Sequence, residues 1–304
     1  MEIITAFTTI FFILGLGYAI QRFRPWDLRT LEKLSDLVVY VLLPVFLFYT
    51  AVSSDVKRYL SVAPALIALG FVVPLLGLGL AYLAAKVLQV KSERRPIFQY
   101  IVMIANTAFM GIPICQQLFG PVGAIYAMLY DFGTTLIFCT VGIWILGGRR
   151  SDGSWRLLFL SPMIWGVLVG FAWTIFGWGF PEWVGKPLLS LSNTALPLAL
   201  LLCGMQLGQI KIVRGSWFKE LISVTALRLF VIPFLVTGAF LAAGNFGLEA
   251  RVATVQSAMP VGLISAMVAK NFHQDADFAA AAILWSTAGL IVGLPIVGWI
   301  LSLI

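Results

Sequence analysis

Ten apolar runs, joined by short polar connectors, fill nearly the whole chain. They lie near Ile4 to Gln21, Leu31 to Thr50, Ala63 to Leu88, Ile97 to Phe119, Val122 to Gly147, Pro162 to Trp178, Pro187 to Leu207, Phe218 to Ala243, Leu248 to Lys270 and Phe278 to Leu303. A helix needs about 20 apolar residues to cross a hydrocarbon core of about 30 Å. In lipid each backbone polar group must be satisfied internally, which favours helices. The pattern therefore predicts an all-α polytopic membrane protein of about ten transmembrane helices.

Composition agrees, since 61% of the 304 residues are hydrophobic and 11% charged, against about a quarter charged in soluble domains. The net charge of +7 changes the picture only through its placement. Fifteen of the twenty Lys and Arg residues fall in the connectors after runs 1, 3, 5, 7 and 9, while the opposite face has Lys57, Arg58, Lys186 and Arg251. Such asymmetry marks the rich face as cytoplasmic. It puts both termini on the extracytoplasmic side of a cell (inner) membrane and removes the need for a nucleic-acid partner. The chain begins Met1-Glu2-Ile3, without a basic segment or a cleavage site of small residues, so the first run is expected to stay as a span. Cys115, Cys139 and Cys203 lie inside apolar runs and read as small packing residues.

The basic connector at 149–161, with Arg149, Arg150 and Arg156, separates five runs in 1–148 from five in 162–304. A duplicated half with an odd number of spans re-enters the membrane in the opposite sense, which predicts an inverted repeat. Internal likeness agrees. Phe71-Val-Val-Pro74 matches Phe230-Val-Ile-Pro233, Gly142-Ile-Trp144 recurs at Gly298-Trp299, and Leu43-Pro44 matches Leu196-Pro197.

Candidate chemistry concentrates at two interruptions. Run 4 contains Asn106-Thr107-Ala108-Phe109-Met110-Gly111-Ile112-Pro113, and run 9 contains Gln256-Ser257-Ala258-Met259-Pro260-Val261-Gly262. Proline removes a donor and clashes with the preceding turn, and glycine permits unusual dihedrals. Both helices are expected to break near mid-membrane, where freed backbone groups must face protein or a wet cavity. The positive end of a half-helix there favours an anion. Asn106, Thr107, Gly111, Pro113, Gln256, Ser257, Met259, Pro260 and Val261 are thus candidate substrate-binding residues.

Asp131 and Arg228 are ionisable residues deep in runs 5 and 8, where charge is costly and usually functional. Their matched depth allows a salt bridge, a substrate role for Arg228 or proton handling by Asp131, and the residues alone leave all three open. Tyr40, Asn193 and Gln206 are candidate pocket-lining residues that otherwise bond between helices. Trp26, Trp178, Trp183 and Trp217 lie at run ends, as in an aromatic belt. The lone His273 offers no metal pair and no nucleophile–base pair, so neither enzyme nor metal chemistry is expected.

The set Leu42-Leu43-Pro44, Asn106 to Pro113, Leu196-Pro197-Leu198-Ala199 and Ala258-Met259-Pro260-Val261, spread over the chain, resembles the auxin efflux carrier family of bacterial malate and malonate permeases and plant auxin exporters. The resemblance implies crossing, broken spans 4 and 9 beside a small organic anion, and a fold related to bile-acid symporters and sodium/proton antiporters. It further implies elevator-like movement of spans 3–5 and 8–10 against a scaffold of spans 1, 2, 6 and 7, often within a homodimer. Asn106, Pro113, Met259 and Pro260 match the family's crossover, but run 9 lacks an asparagine corresponding to Asn106. No cofactor is implied, and the coupling ion, sodium or proton, stays open. The alternatives are a cation/proton antiporter using Asp131 and a receptor that binds without transport.

Overall fold

The computed structural model describes residues 2–53, 56–147, 162–179, 181–210, 217–245 and 247–301, so the expected connector at 149–161 lies outside the described residues. The described helices are α1 (Glu2–Phe23), α2 (Leu28–Val52), α3 (Val56–Val87), α4 (Arg95–Met103), α5 (Thr107–Ile145), α6 (Pro162–Ile175), α7 (Glu182–Gln209), α8 (Phe218–Ala242), α9 (Leu248–Ser257), α10 (Ser265–Asn271) and α11 (Ala276–Leu301). Among the described residues no strand forms, and one isolated antiparallel bridge joins Ala105 to Val261.

Six of these helices, α2, α5, α7, α8, α11 and residues Ser61–Val87 of α3, are long and apolar enough to cross a membrane, and Thr8–Phe23 and Trp165–Ile175 are shorter apolar helices. The chain is therefore a multi-pass, all-helical membrane protein. Six long helices stand where ten runs were marked because runs 1 and 6 form the two shorter helices and because of two further features. The ninth run is split into α9 and α10, each too short to cross alone. The fourth run is split between α4 and α5, and α5 continues through the fifth run with a kink at Gly120, where φ is 70° and ψ −164°. Only glycine adopts that conformation without strain. Helix α3 begins at Val56, upstream of the expected Ala63, and holds Pro64 inside it, as membrane helices tolerate.

Three prolines shape the helices locally. Pro44, Pro113 and Pro233 each follow a π-helical turn, at Val38–Leu42, Thr107–Gly111 and Leu227–Val231. A proline cannot donate and its ring presses on the carbonyl four residues earlier, and a wider turn relieves that contact. The wider turn also shifts the register of the helix faces, and in α8 it carries Arg228.

Helix pairs meet where glycine lets backbones touch. A Cβ at Gly17 would lie 2.1 Å from the Leu201 carbonyl oxygen, and one at Gly204 2.1 Å from that of Leu14, so α1 and α7 are locked reciprocally. The same device joins α3 and α5, where a Cβ at Gly70 would lie 1.9 Å from the Tyr130 oxygen and one at Gly133 2.2 Å from that of Ile67. Small residues drive such packing in lipid because apolar burial between helices gains little there. Thr134 adds a 3.2 Å hydrogen bond to the Gly70 carbonyl.

At one end of the molecule Arg94 joins three elements. It pairs with Glu220 of α8 at 3.1 Å and with Asp275, before α11, at 3.0 Å. Its guanidinium also lies over the rings of Trp217 and Phe278 at 5.6 and 5.5 Å. Trp217, expected in an aromatic belt, therefore acts here as the platform of a cation.

Candidate functional site

The two interruptions meet. Helix α4 ends at Met103, Ile104 is extended, and Asn106 leaves the helical region with φ −83° and ψ 60°. Opposite it, α9 ends at Ser257 and the chain runs irregularly to α10. The Asn106 N–H donates to the Pro260 carbonyl at 2.8 Å, and the Gly262 N–H donates to the Ile104 carbonyl at 3.1 Å. Two short extended stretches thus satisfy each other as a two-bond ladder, which lipid could not do. The Val261 N–H reaches the Ser286 Oγ of α11 at 3.1 Å.

All nine candidate binding residues converge on this crossing and are buried. Asn106 Nδ2 points to Cys203 Sγ of α7 at 3.7 Å, and Thr107 Oγ1 donates to Asp131 Oδ1. The Gln256 Nε2 donates to the Ala127 carbonyl at 3.1 Å, while its Oε1 is buried with no partner. Gln256 lies so close over Gly111 that a Cβ there would fall 2.0 Å from Oε1.

The anticipated Asp131–Arg228 salt bridge does not form. Arg228 is 1% exposed and spends its donors on backbone. Nε donates to the Met259 carbonyl at 3.2 Å, Nη1 to Val102 at 3.2 Å, and Nη2 to Met259 at 2.8 Å and Ser257 at 3.2 Å. The reason is local supply. Helices α4 and α9 both end here with orphan carbonyls, and a rigid fork of five donors suits several acceptors in one place. The guanidinium neutralises the negative ends of both interrupted helices. With so many donors engaged, the Arg228 guanidinium is committed to the backbone of the two helix ends.

Tyr40 is 59% exposed and Asn193 is exposed. Gln206 donates to Ser35 Oγ at 2.7 Å, tying α7 to α2. The sequence reading missed Cys203 and Ser286. Ser286 had a weak signal as part of the polar pair Ser286-Thr287 in an apolar run, whereas Cys203 had none.

Apolar helices long enough to cross a membrane, with two short interrupted segments crossing through backbone bonds, define a multi-pass membrane protein. A family profile described as membrane transport protein matches residues 2–298, and the chain belongs to that family. It is similar to an uncharacterized transporter of Methanothermobacter thermautotrophicus, 27% identical over 285 residues and 92% of each chain. An uncharacterized transporter of Methanocaldococcus jannaschii is 26% identical over 280 residues, 88% of this chain and 89% of that one. Auxin efflux carrier component 1 of Arabidopsis thaliana is 26% identical over 146 residues, 47% of this chain and 23% of the plant protein.

Proposed function

We propose that the chain is a secondary transporter of small organic anions, carboxylates in the class of malate, malonate or auxin-like acids, with the crossing of α4–α5 and α9–α10 as its substrate site. The observation that carries this reading is Arg228. Its guanidinium covers carbonyls at the ends of α4 and α9, so the negative helix ends are compensated. The first N–H groups of α5, which have no intrahelical partner, keep their positive field. The crossing is then a net attractor of negative charge, with the Asn106 and Thr107 side chains beside it to orient a carboxylate.

The movement is elevator-like alternating access within two inverted halves, 1–148 and 162–304, both termini lying extracytoplasmically and the scaffolds pairing as a homodimer in the cell membrane. The distribution of tight joins supports the two-unit division. Gly17 and Gly204 lock spans 1 and 7, and Gln206 bonds Ser35 between spans 7 and 2, all inside the scaffold set. Gly70 and Gly133 lock spans 3 and 5, Arg94 ties spans 4, 8 and 10, and the crossing joins spans 4 and 9, all inside the moving set. The Asn106–Cys203 contact spans the two units and is weak enough to break in each cycle.

The test is uptake of labelled malate, malonate and indole-acetate into proteoliposomes. Asn106→Ala should lower the rate at least about tenfold, the equivalent of ~1.4 kcal/mol. A wild-type protein that moves no member of a broad carboxylate panel, or an Asn106→Ala chain as fast as an active wild type, would refute the assignment.

A further inference from the structure

We propose that Asp131, held by Thr107 beside the crossing, is a proton-binding site that takes up one proton for each carboxylate carried. The inference rests on the anion-carrier reading and names its coupling ion.

Asp131 is buried, and its one described hydrogen bond comes from the Thr107 hydroxyl. Among the described residues no ion pair reaches it, and the guanidinium of Arg228 is committed to backbone carbonyls. A carboxylate ionised at this depth with one neutral donor is costly. Three partners could relieve it. A fixed cation is not in contact. A hard metal ion needs several converging oxygens, and the carbonyls of Val102, Ile104, Ser257, Met259 and Pro260 at the crossing already accept from Arg228 or from the Asn106 and Gly262 N–H groups. A proton needs one oxygen. The Thr107 hydroxyl suits both states, because it donates to a carboxylate and accepts from a carboxylic acid.

An acceptor also waits close by. Gln256 Oε1 is fully buried without a partner. Its amide rests on Ala127 and Gly111, each four residues from Asp131 and Thr107 respectively on the same two helical segments. Asp131 and Thr107 thus lie one helical turn from the two residues that Gln256 touches. The titratable and charged groups near Asp131 are Tyr130 on its own helix, Arg228 on α8, which acts electrostatically on Tyr130, and Cys203 on α7 beside Asn106. Here α3 contributes Ile67 and Gly70 and α9 contributes Gln256, none of which titrates.

Coupling follows from adjacency. Thr107 follows Asn106 in the chain, so an anion at the crossing would face a charged Asp131 as a like charge. Each ligand therefore favours the other: a bound carboxylate favours the protonated acid and a bound proton favours the carboxylate, by the same factor.

The experiment uses the purified full chain in proteoliposomes containing a trapped pH dye, with labelled malate as probe. Malate entry should acidify the lumen, and with the membrane potential clamped at zero an inward proton gradient of about one pH unit should hold malate at about tenfold accumulation, one proton for each malate carried. A sodium gradient of the same size should not. Asp131→Asn should abolish both proton flux and proton-driven accumulation while malate/malate counterflow persists. If Asp131→Asn is silent in counterflow, Asp131→Glu decides. Recovered proton-driven uptake supports the site, and failure at a native unfolding temperature overturns it. Malate transport without proton movement, driving by sodium alone, or an Asp131→Asn chain that remains proton-coupled would each overturn the inference and leave the carrier reading standing. A wild type that carries no carboxylate would overturn the carrier reading itself.

Discussion

Arg228 grips Met259 twice, from Nε at 3.2 Å and from Nη2 at 2.8 Å, at the carbonyl just before Pro260. The same guanidinium reaches Ser257 and Val102, so one side chain closes the open ends of two helices. An intramembrane arginine is usually read as a substrate or ion contact. Here its first task is to make an irregular backbone tolerable in lipid.

Arg228→Met should therefore be costly to the fold. Three buried carbonyls would lose a donor, at about 1–3 kcal/mol for each group left unsatisfied. Arg228→Lys should recover only part of this, since an ammonium cannot span three acceptors as a planar fork does. The order wild type, Lys, Met in unfolding temperature, read by intrinsic fluorescence in detergent, is the expected outcome. Equal temperatures for Lys and Met would argue that the fork geometry is irrelevant.

Two glycines in one turn of α1 should behave oppositely. A Cβ at Gly17 meets backbone atoms of Leu201 and Met205, while one at Gly15 meets nothing within 4 Å. Gly17→Ala must push α7 away and should cost about 1–3 kcal/mol, as overpacking does. Gly15→Ala should be neutral or stabilising, by up to about 1 kcal/mol from helix propensity. Thermal unfolding of the two variants side by side checks the contrast.

What the chain reveals in advance follows from what each residue type can signal. Apolar runs located the helices because lipid imposes length and hydropathy directly. The break in run 9 was legible at Met259-Pro260 because proline acts on its own backbone, whereas the break in run 4, expected near Gly111 to Pro113, falls earlier, at Ile104 to Asn106, and Gly111 to Pro113 lie within the first turns of α5. The Arg228 partners were not legible, since a sequence records charges but not the free carbonyls a broken helix creates, and equal depth suggested Asp131 instead. Cys203 looked like packing because a thiol facing Asn106 is written no differently from one facing leucine. The first turns of α3 were not legible because Lys57 and Arg58 are charged and lie outside the apolar run that marks the span.

Arg94 should matter more than either carboxylate it holds. Arg94→Met leaves Glu220 and Asp275 facing each other and removes the cation from Trp217 and Phe278. A loss of roughly 1–3 kcal/mol is expected. Glu220→Gln leaves the Asp275 pair intact and should cost less. Raising salt should shrink the gap between the two variants in denaturation experiments, because like charges near the surface are screened.

The contact of Gly111 with Gln256 predicts a suppressor. Gly111→Ala places a methyl group where Gln256 Oε1 now sits, 2.0 Å from the new Cβ, so the amide must swing away and release the Ala127 carbonyl. The obstacle is the end of a flexible side chain, so the fold should survive while the local geometry of the crossing shifts, and uptake should fall. Gln256→Ala removes the obstacle and costs its own hydrogen bond. In the double variant the clash no longer exists, and the loss from Gly111→Ala should largely vanish. Contacting residues of this kind give interaction terms of about 0.5–3 kcal/mol in a double-mutant cycle. Initial uptake rates of the four proteins, corrected for the amount reconstituted, measure that term. Strictly additive losses would mean that Gly111 is required for a reason other than the room it leaves for Gln256.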